Sequence, residues 1–190
     1  REAGDERPAI AMPHAFVTGA QASDSERDIQ VGGVPSVSAD LFDTLGAEEP
    51  LPHGLDYVAA GHLHRPQDIS GASVPIRYAG SPIAYSFSEA GATKSITLVT
   101  TDATSVTDIE VVPIPTLRGI AVLEGTMDEL LADPDEATTA SYVSITVTDD
   151  ARPERMVPRI REVYPHALVV VHRPSQAPSL APAMAVRASR

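Results

Sequence analysis

The sequence has no cysteine and no tryptophan, and aromatic residues make up only 4% of its 190 residues. Without cysteine, disulfide frameworks and thiolate zinc sites are excluded, and a cytoplasmic location is expected. With so few aromatic rings, a core must be built from Val, Ile, Leu and Ala. The hydrophobic content of 43% is sufficient for this. The length of 190 residues predicts one domain, or one domain and part of a second.

Positive charge and long hydrophobic runs are also scarce. The chain has 14 basic against 26 acidic residues and a net charge of −12. Taken alone, that charge argues against nucleic acid as a partner, although bound divalent cations can reverse the sign of a local site. No apolar run approaches the roughly 20 residues that a membrane helix needs. We therefore expect no membrane association.

Several catalytic motifs are missing as well. The sequence contains no G-x-S-x-G nucleophile elbow, no P-loop and no dinucleotide fingerprint. Ser81 follows a glycine, but no base can be assigned to it, so a turn is its expected role. Acidic clusters lie in predicted loops and are typical of solvated faces.

The first part of the chain has the pattern of strands separated by loops. Apolar and β-branched runs predict strands at residues 9–20, 55–61, 74–82, 93–102 and 105–114. The polar sequence TDATS makes the last two strands a hairpin.

Two other segments connect these strands. Residues 21–34 are polar and contain glycine, which predicts an exposed loop. Leu41, Phe42 and Leu45 have helical spacing, with Ser36 or Ser38 as N-cap, and predict a short helix.

The second part, residues 115–174, predicts a small β-α-β-α-β module. Thr126 and Glu129 have capping-box spacing, so a helix is expected to begin at Thr126 and to end near Pro134. Residues 141–149 alternate as a half-buried strand does, with Val143, Ile145 and Val147 on one face. A second helix carries Met156, Ile160, Val163 and Tyr164 on one face, and Pro158 lies in its first turn or marks a later start. Residues 168–174 form the last strand.

The sequence DYVAAGHLHRPQ, residues 56–67, places two histidines directly after a buried strand and a glycine. His62 and His64 share one face if the strand continues, and a tight loop after Gly61 can also bring both imidazoles together. Neutral imidazole is a good ligand for manganese, iron and zinc. The alternative is a pair of polar loop residues near a turn. Arg65 adds a cation suited to a phosphate oxygen.

The other four histidines carry a weaker signal. His14 lies in the apolar run AIAMPHAFVTGA, and a lone histidine in a strand is usually a core residue bonded to a backbone carbonyl. For His53, His166 and His172, surface polarity or a helix-end charge effect is the expected role.

The segment GHLHRPQ, followed by YAGSPIAYSFSEAGATKSITLV, resembles the calcineurin-like metallophosphoesterases and, within them, the SbcD family of nuclease subunits. The resemblance covers roughly residues 8–174. It implies an α/β (α+β) fold, in which residues 1–114 form the C-terminal half of a metallophosphoesterase β-sandwich flanked by helices. Residues 115–174 would form an SbcD-type capping domain, and residues 175–190 a Pro/Ala-rich linker or tail.

The resemblance also implies the site and its partners. His14 and His62 would coordinate one of two divalent metal ions, most commonly Mn²⁺, and His64 the other. Arg65 would bind substrate near the scissile phosphate, and no residue of the chain is assigned as the catalytic acid or base. The family hydrolyses DNA phosphodiester bonds at ends and hairpins in repair, recombination and replication. It acts with the SbcC ATPase, as a homodimer within a heterotetramer when full length.

One departure from the family pattern is large. The family's upstream series of D-x-H, G-D and G-N-H-D motifs does not occur in this sequence, so three of about seven expected ligands are present. We therefore expect this chain by itself not to bind two metal ions tightly. Two alternatives stay open: a calcineurin-like phosphodiesterase acting on nucleotides or phosphoproteins, and an inactive remnant that serves as an interaction module.

Overall fold

A computed structural model describes residues 7–26, 36–45 and 54–175, and the chain divides into two compact units, Arg1–Ile120 and Ala121–Arg190. Short helices and three separate sheets occur along the described residues, which confirms the predicted mixed α/β class. The β-sandwich of the metallophosphoesterase fold stays a prediction.

A four-stranded sheet organises the first unit. It comprises β1 (Ile10–Ala11), β2 (Tyr57–Ala60), β3 (Gln67–Ile69) and β4 (Ile76–Tyr78), in the order β1-β2-β4-β3. Strands β1, β2 and β4 run parallel, and β3 is antiparallel to β4. Because three strands run in one direction, their carboxyl ends lie at one edge of the sheet, where ligand sites of α/β folds are found.

The strands at 55–61 and 74–82 are confirmed, whereas the run 9–20 forms a regular strand only at Ile10–Ala11. Beyond β1 the chain forms two single bridges, His14 with Gly61 directly after β2 and Val17 with Val37 in the loop before α1. Pro13 has no amide hydrogen, so it cannot continue the ladder between β1 and the first of these bridges. Strand β3 was not predicted, because its three residues include only one buried side chain, Ile69.

The predicted short helix exists as α1 (Leu41–Thr44), but its N-cap is Asp40. The prediction of Ser36 or Ser38 as N-cap is wrong, because the first turn begins later. Phe42 is buried, whereas Leu41 and Leu45 are exposed. A helix of a single turn directs only one of these side chains into the core. Asp43 holds α1 to the loop before β4 by accepting hydrogen bonds from the amides of Ser73 and Val74.

The predicted hairpin is confirmed. Strands β5 (Ser95–Thr101) and β6 (Val106–Pro113) are antiparallel, with a register shift between Thr100 and Thr101. Asp102 closes the turn by accepting hydrogen bonds from the amides of Thr104 and Ser105, both at 2.8 Å.

The second unit contains a three-stranded sheet in the order β7-β8-β9, of which β8 and β9 are parallel. Its elements follow one another as β7 (Ile120–Gly125), α2 (Met127–Ala132), α3 (Glu136–Ala140), β8 (Tyr142–Val147), α4 (Met156–Val163) and β9 (Ala167–His172). This is the predicted β-α-β-α-β order with one further helix, α3. Asp135 starts that helix by accepting a hydrogen bond from the amide of Thr138.

Details of the second unit also agree with the sequence patterns. Val143, Ile145 and Val147 are fully buried on one face of β8, and the capping box of Thr126 and Glu129 is present. Helix α4 begins at Met156, which places Pro158 in its first turn. In the part of the chain that the structure describes, no helix has the length and apolar character needed to cross a membrane.

Candidate metal centre

Histidines follow two of the three parallel strands, at the edge where those strands end. His14 comes three residues after β1, and His62 and His64 come directly after β2. The bridge between His14 and Gly61 holds the two segments side by side beyond the regular sheet. As a result, the imidazole rings of His14 and His62 meet edge to face, with centroids 5.4 Å apart.

Gly61 allows this close approach. Its amide donates to the carbonyl oxygen of Pro13 at 2.8 Å, and a Cβ atom at position 61 would lie 3.1 Å from Nδ1 of His14. A larger residue would therefore press on the His14 ring. A glycine at this position thus allows the two segments to approach closely.

Leu63 explains why two histidines bracket one apolar residue. Its side chain is 2% exposed and belongs to the core of the first unit, whereas His62 and His64 are only partly buried. The backbone turns sharply at His62, whose φ of +103° is a left-handed value that residues with a side chain rarely adopt. Such a conformation costs about 1–3 kcal/mol and is found mostly at functional sites.

The electrostatic environment favours the neutral form of the His62 ring. Burial lowers the pKa of His62, and the neighbouring His14 and His64 lower it further, against an opposing effect of Glu26. Neutral imidazole has a lone pair available for a metal ion, so the shift favours the ligand form.

The ring of His64 has different neighbours from those of His14 and His62. Its Nδ1 lies 2.6 Å from the hydroxyl oxygen of Ser25, and its ring centroid is 4.9 Å from that of Tyr85. The carboxylate of Glu26 accepts a hydrogen bond from the His64 amide at 2.7 Å and lies 3.8 Å from Nδ1. The predicted exposed loop at 21–34 thus carries two residues that contact a candidate ligand; its residues 27–34 lie outside the described part.

A buried ion pair supports the histidine loop. Glu89 and Lys94 are 1% and 2% exposed and form a short salt bridge. The Lys94 ammonium also donates to the carbonyl oxygen of His64 at 2.9 Å and to the hydroxyl of Ser81 at 3.1 Å. The same carbonyl accepts from the amide of Ser81 at 3.1 Å, so two donor groups from the segment after β4 fix the position of His64.

Sequence reasoning missed Glu89 and Lys94. Glu89 ends a capping box that begins at Ser86, and it accepts hydrogen bonds from the amides of Tyr85 and Ser86 at 2.9 and 3.0 Å. The spacing S-x-x-E in SFSE is the signal that could have predicted this short 3₁₀ turn. Nothing in the sequence indicates that the carboxylate also pairs with Lys94 five residues later.

Tyr78 attaches the His14 segment to β4. The ring is fully buried, and the phenol donates to the carbonyl oxygen of Ala15 at 2.7 Å while it accepts from the Val17 amide at 2.8 Å. Burial raises the pKa of this phenol. The residue that ends β4 therefore fixes the segment that follows β1, across the intervening strand β2.

Arg65 lies beside a cleft of about 290 Å³ that is also lined by Pro66 and residues 90–93. Its guanidinium donates to the carbonyl oxygen of Ser88 at 2.8 Å. The substrate-binding role of Arg65 stays a prediction. The cleft is the space in which a substrate beside Arg65 would lie.

Outside the segment that carries His62 and His64, the described residues include three further histidines. His14 is exposed, so the alternative of a core histidine is wrong: the ladder ends before it, and its side chain is left at the edge of the sheet. His166 packs against Tyr142, and His172 bonds to the carbonyl oxygen of Asp149. His53 lies outside the described residues.

The donors at this edge suit a transition metal, but they are too few to enclose one. Two partly accessible imidazoles meet at His14 and His62, which is the donor chemistry that manganese, iron and zinc accept. Within residues 7–26, 36–45 and 54–175, no group of three His, Cys, Asp or Glu side chains could hold a metal ion. A complete centre would need ligands in addition to these.

Comparison with known proteins gives matches to both parts of the chain. A family model described as the type 5 capsule protein repressor C-terminal domain, SbcD_C, matches residues 116–188. The SbcD subunit of the SbcCD nuclease of Bacillus subtilis (strain 168) is 52% identical over 90 residues, which is 47% of this chain and 21% of the relative.

The same nuclease subunit in Escherichia coli, in strain K12 and in O157:H7, is 31% identical over 174 residues. That match covers 87% of this chain and 41% of the relative, so the chain spans less than half the length of these curated relatives. The histidine edge of the first unit and the matched C-terminal domain of the second thus occur in one sequence that aligns with the same nuclease subunit of two bacterial species. These matches support the assignment of this chain to the C-terminal portion of an SbcD-type subunit.

Proposed function

We propose that this chain contributes the histidine side of a metal-dependent nuclease that hydrolyses phosphodiester bonds in DNA. One observation carries the proposal. Parallel strands bring His14, His62 and His64 to one edge of a sheet, in a chain whose similarity to a nuclease subunit extends over 87% of its length. The coarse class, a nuclease of the SbcD type, rests on those relatives. The metal chemistry rests on the histidines.

The proposed cofactors are two divalent cations, with Mn²⁺ as the preferred ion. His14 and His62 would hold one cation and His64 the other. A bound pair of such ions supplies an activated water and neutralises charge at the phosphate. The remaining ligands would come from a polypeptide that carries the D-x-H, G-D and G-N-H-D motifs of the family.

The proposed partners are DNA and the SbcC ATPase. The relatives are named as one subunit of the SbcCD nuclease, and a subunit works within a complex. By extension, this protein would process DNA ends and hairpins as a homodimer within a heterotetramer. The net charge of −12 means that DNA contact must be local, and Arg65 beside its cleft is one candidate cation.

Paramagnetic NMR tests the metal assignment on the chain itself. Mn²⁺ broadens the resonances of nuclei close to it, so substoichiometric Mn²⁺ should broaden the ring signals of His14 and His62 first. His166 and His172 serve as internal controls, because their rings contact Tyr142 and the carbonyl oxygen of Asp149 and, among the described residues, no other histidine. The double variant His62→Ala/His64→Ala should lose the effect at His14. Equal broadening of all histidines would count against the proposal.

Reconstitution tests the activity. A polypeptide carrying the three missing motifs, mixed with this chain, should restore Mn²⁺-dependent cleavage of linear duplex and hairpin DNA. His62→Ala should abolish the cleavage, and His166→Ala should leave it unchanged. Cleavage that proceeds equally with and without His62 would contradict the assignment. Tight binding of two Mn²⁺ ions by this chain alone would show that its ligand set is complete, against our expectation.

A further inference from the structure

A continuous line of hydrogen bonds connects the buried ion pair to the ring of His64. Lys94 pairs with Oε2 of Glu89, and Oε1 of Glu89 accepts from the Ser25 hydroxyl at 3.1 Å. The Ser25 oxygen then lies 2.6 Å from Nδ1 of His64. Of the three residues in this line, Ser25 comes from the loop before α1, and Glu89 and Lys94 come from the segment after β4.

The direction of the protons along this line follows from the chemistry of the groups. Glu89 is held as a carboxylate by Lys94, and a carboxylate only accepts hydrogen bonds. A serine hydroxyl has one hydrogen, and it forms its stronger bond with a charged acceptor. The hydroxyl hydrogen of Ser25 therefore points to Glu89. The Ser25 oxygen is left to accept, and the partner within reach that can donate is Nδ1 of His64.

A second serine lies close enough to compete. The hydroxyl of Ser23 is 3.1 Å from that of Ser25, but it donates to Glu26 at 2.8 Å. Ser23 thus uses its own hydrogen on a carboxylate and offers Ser25 only a neutral acceptor. Glu26 adds to the same effect, because its Oε1 lies 3.8 Å from Nδ1 of His64 and favours a hydrogen on that nitrogen.

We propose that Glu89 and Ser25 are positioning residues that fix the neutral His64 ring as the Nδ1–H tautomer and so leave the lone pair on Nε2. Use of that lone pair by a metal ion rests on the proposed function, whereas the tautomer is a property of the chain without metal. Metal-binding histidines commonly hold their second nitrogen in this way, through a hydrogen bond to a carboxylate or carbonyl group. In this chain, a serine stands between the imidazole and the carboxylate.

Lys94 gives the arrangement its rigidity. It neutralises Glu89 and at the same time donates to the carbonyl oxygen of His64. One ammonium group thus fixes both the main chain of His64 and the hydrogen-bonded line Lys94–Glu89–Ser25, called the relay below, which orients the His64 ring. The ring and the main chain of His64 are therefore held from the same buried point.

The tautomer can be read directly from ¹⁵N chemical shifts of the histidine rings in the metal-free chain. At alkaline pH, where the rings are neutral, Nδ1 of His64 should have the shift of a protonated, pyrrole-type nitrogen. Its Nε2 should have the shift of an unprotonated, pyridine-type nitrogen. Exposed histidines of unfolded chains favour the opposite form, so a His64 ring with its hydrogen on Nε2 would overturn the proposal.

Three serine variants separate the relay from folding. Ser25→Ala removes the acceptor and should make Nε2–H the major form at His64, while Ser25→Thr keeps a hydroxyl and should restore the wild-type shifts. Ser70→Ala changes an exposed serine outside the relay and should leave the ring unaffected. If Ser25→Ala does not fold, the wild-type shifts and those of Ser25→Thr still decide. An unchanged tautomer in folded Ser25→Ala would refute the role of Ser25.

Titration with Mn²⁺ on the same samples distinguishes this inference from the proposed function. The Nδ1–H form at His64 without selective broadening at His14 and His62 would support the relay and refute the metal assignment. Selective broadening with the hydrogen of His64 on Nε2 would support the metal assignment and refute the relay.

Discussion

Single buried polar atoms determine where the histidines lie. The phenol of Tyr78 satisfies one carbonyl and one amide of the His14 segment, and the ammonium of Lys94 satisfies the carbonyl of His64. Each of these groups is buried, so removing it leaves an unpaired partner whose desolvation is no longer compensated. At this scale, changes of a few atoms should alter both stability and the geometry of the site.

Tyr78→Phe removes one oxygen atom and should destabilise the protein by about 1–3 kcal/mol, because the carbonyl of Ala15 and the amide of Val17 lose their buried partner. Urea unfolding measures the loss. Tyr85→Phe is the matched control, because the Tyr85 side chain is mostly exposed and should tolerate the change. Equal stability of the two variants would show that the buried phenol is not holding this segment.

Glu89→Gln should destabilise the protein by about 3–5 kcal/mol at neutral pH, because Lys94 is left buried without its counter-ion. The change should also alter the response to acid. Burial raises the pKa of Glu89, but the hydrogen bonds from Lys94, Tyr85 and Ser86 outweigh it and hold the pKa below its ordinary value of 4.5. The carboxylate therefore stabilises the fold above the pKa of the unfolded chain, and this contribution is lost as pH falls through the folded-state pKa.

Urea midpoints measured from neutral to acidic pH test this linkage. The wild type should lose stability toward acid more steeply than Glu89→Gln, which lacks the titrating group. Glu110→Gln changes an exposed carboxyl on β6 and should follow the wild type. The linkage would be disproved by an acid slope in Glu89→Gln that equals the wild-type slope.

At the scale of elements, the ends of the parallel strands matter more than their length. Strands β1, β2 and β4 have two to four residues each, and the loops that follow them carry the candidate ligands and their supports. The loop after β4 comes into close contact with the loop after β2 at a glycine. Gly80 follows β4 at a φ of +80°, and a Cβ there would lie 2.8 Å from the carbonyl oxygen of His64 and 2.7 Å from Pro66.

Gly80→Ala should therefore cost more than its backbone conformation alone predicts. A left-handed φ costs an alanine about 1–2 kcal/mol, and the contact with the His64 carbonyl adds a steric term. Gly91→Ala is a matched control, because Gly91 has a φ of +79° with open space around its Cβ position. Denaturant unfolding should rank Gly80→Ala well below Gly91→Ala, and only the former should shift the His64 ring signals. Equal losses would remove the steric argument.

At the scale of the whole molecule, each unit has its own hydrophobic core. In the second unit that core includes Val143, Ile145, Met156, Ile160 and Tyr164. Its elements lie within about 55 consecutive residues, a size at which small domains can fold alone although their stability is marginal. The unit matched by the SbcD_C family model is thus also a compact structural unit.

A polypeptide of residues 119–175 should fold alone and unfold cooperatively. Within it, Ile160→Ala should cost about 2–5 kcal/mol, because the side chain is fully buried in the core. Arg161→Ala, an exposed change on the same helix, should cost little. Circular dichroism during thermal unfolding measures both. A non-cooperative transition in the unmutated polypeptide would show that the second unit depends on the first.

Local patterns were enough to predict several elements of this protein, although they missed β3 and α3. Alternation placed the buried face of β8, the T-x-x-E spacing placed the cap of α2, and the polar run TDATS placed the β-hairpin. Each of these features depends on residues within a few positions of one another, so the sequence contains the whole cause. The predicted N-cap of α1 was wrong, because a single turn of helix carries too few residues for spacing to define its start.

The sequence by itself determined that His62 and His64 follow a buried strand and that Leu63 between them is apolar. Only the tertiary structure decided which groups surround them. The contacts around the histidine segments join residues that are 5 to more than 60 positions apart in the sequence, and they involve Ser25, Tyr78, Glu89 and Lys94. No periodicity of the sequence encodes such contacts. The physical reason is that buried polar groups must find partners wherever the folded chain brings donors and acceptors together.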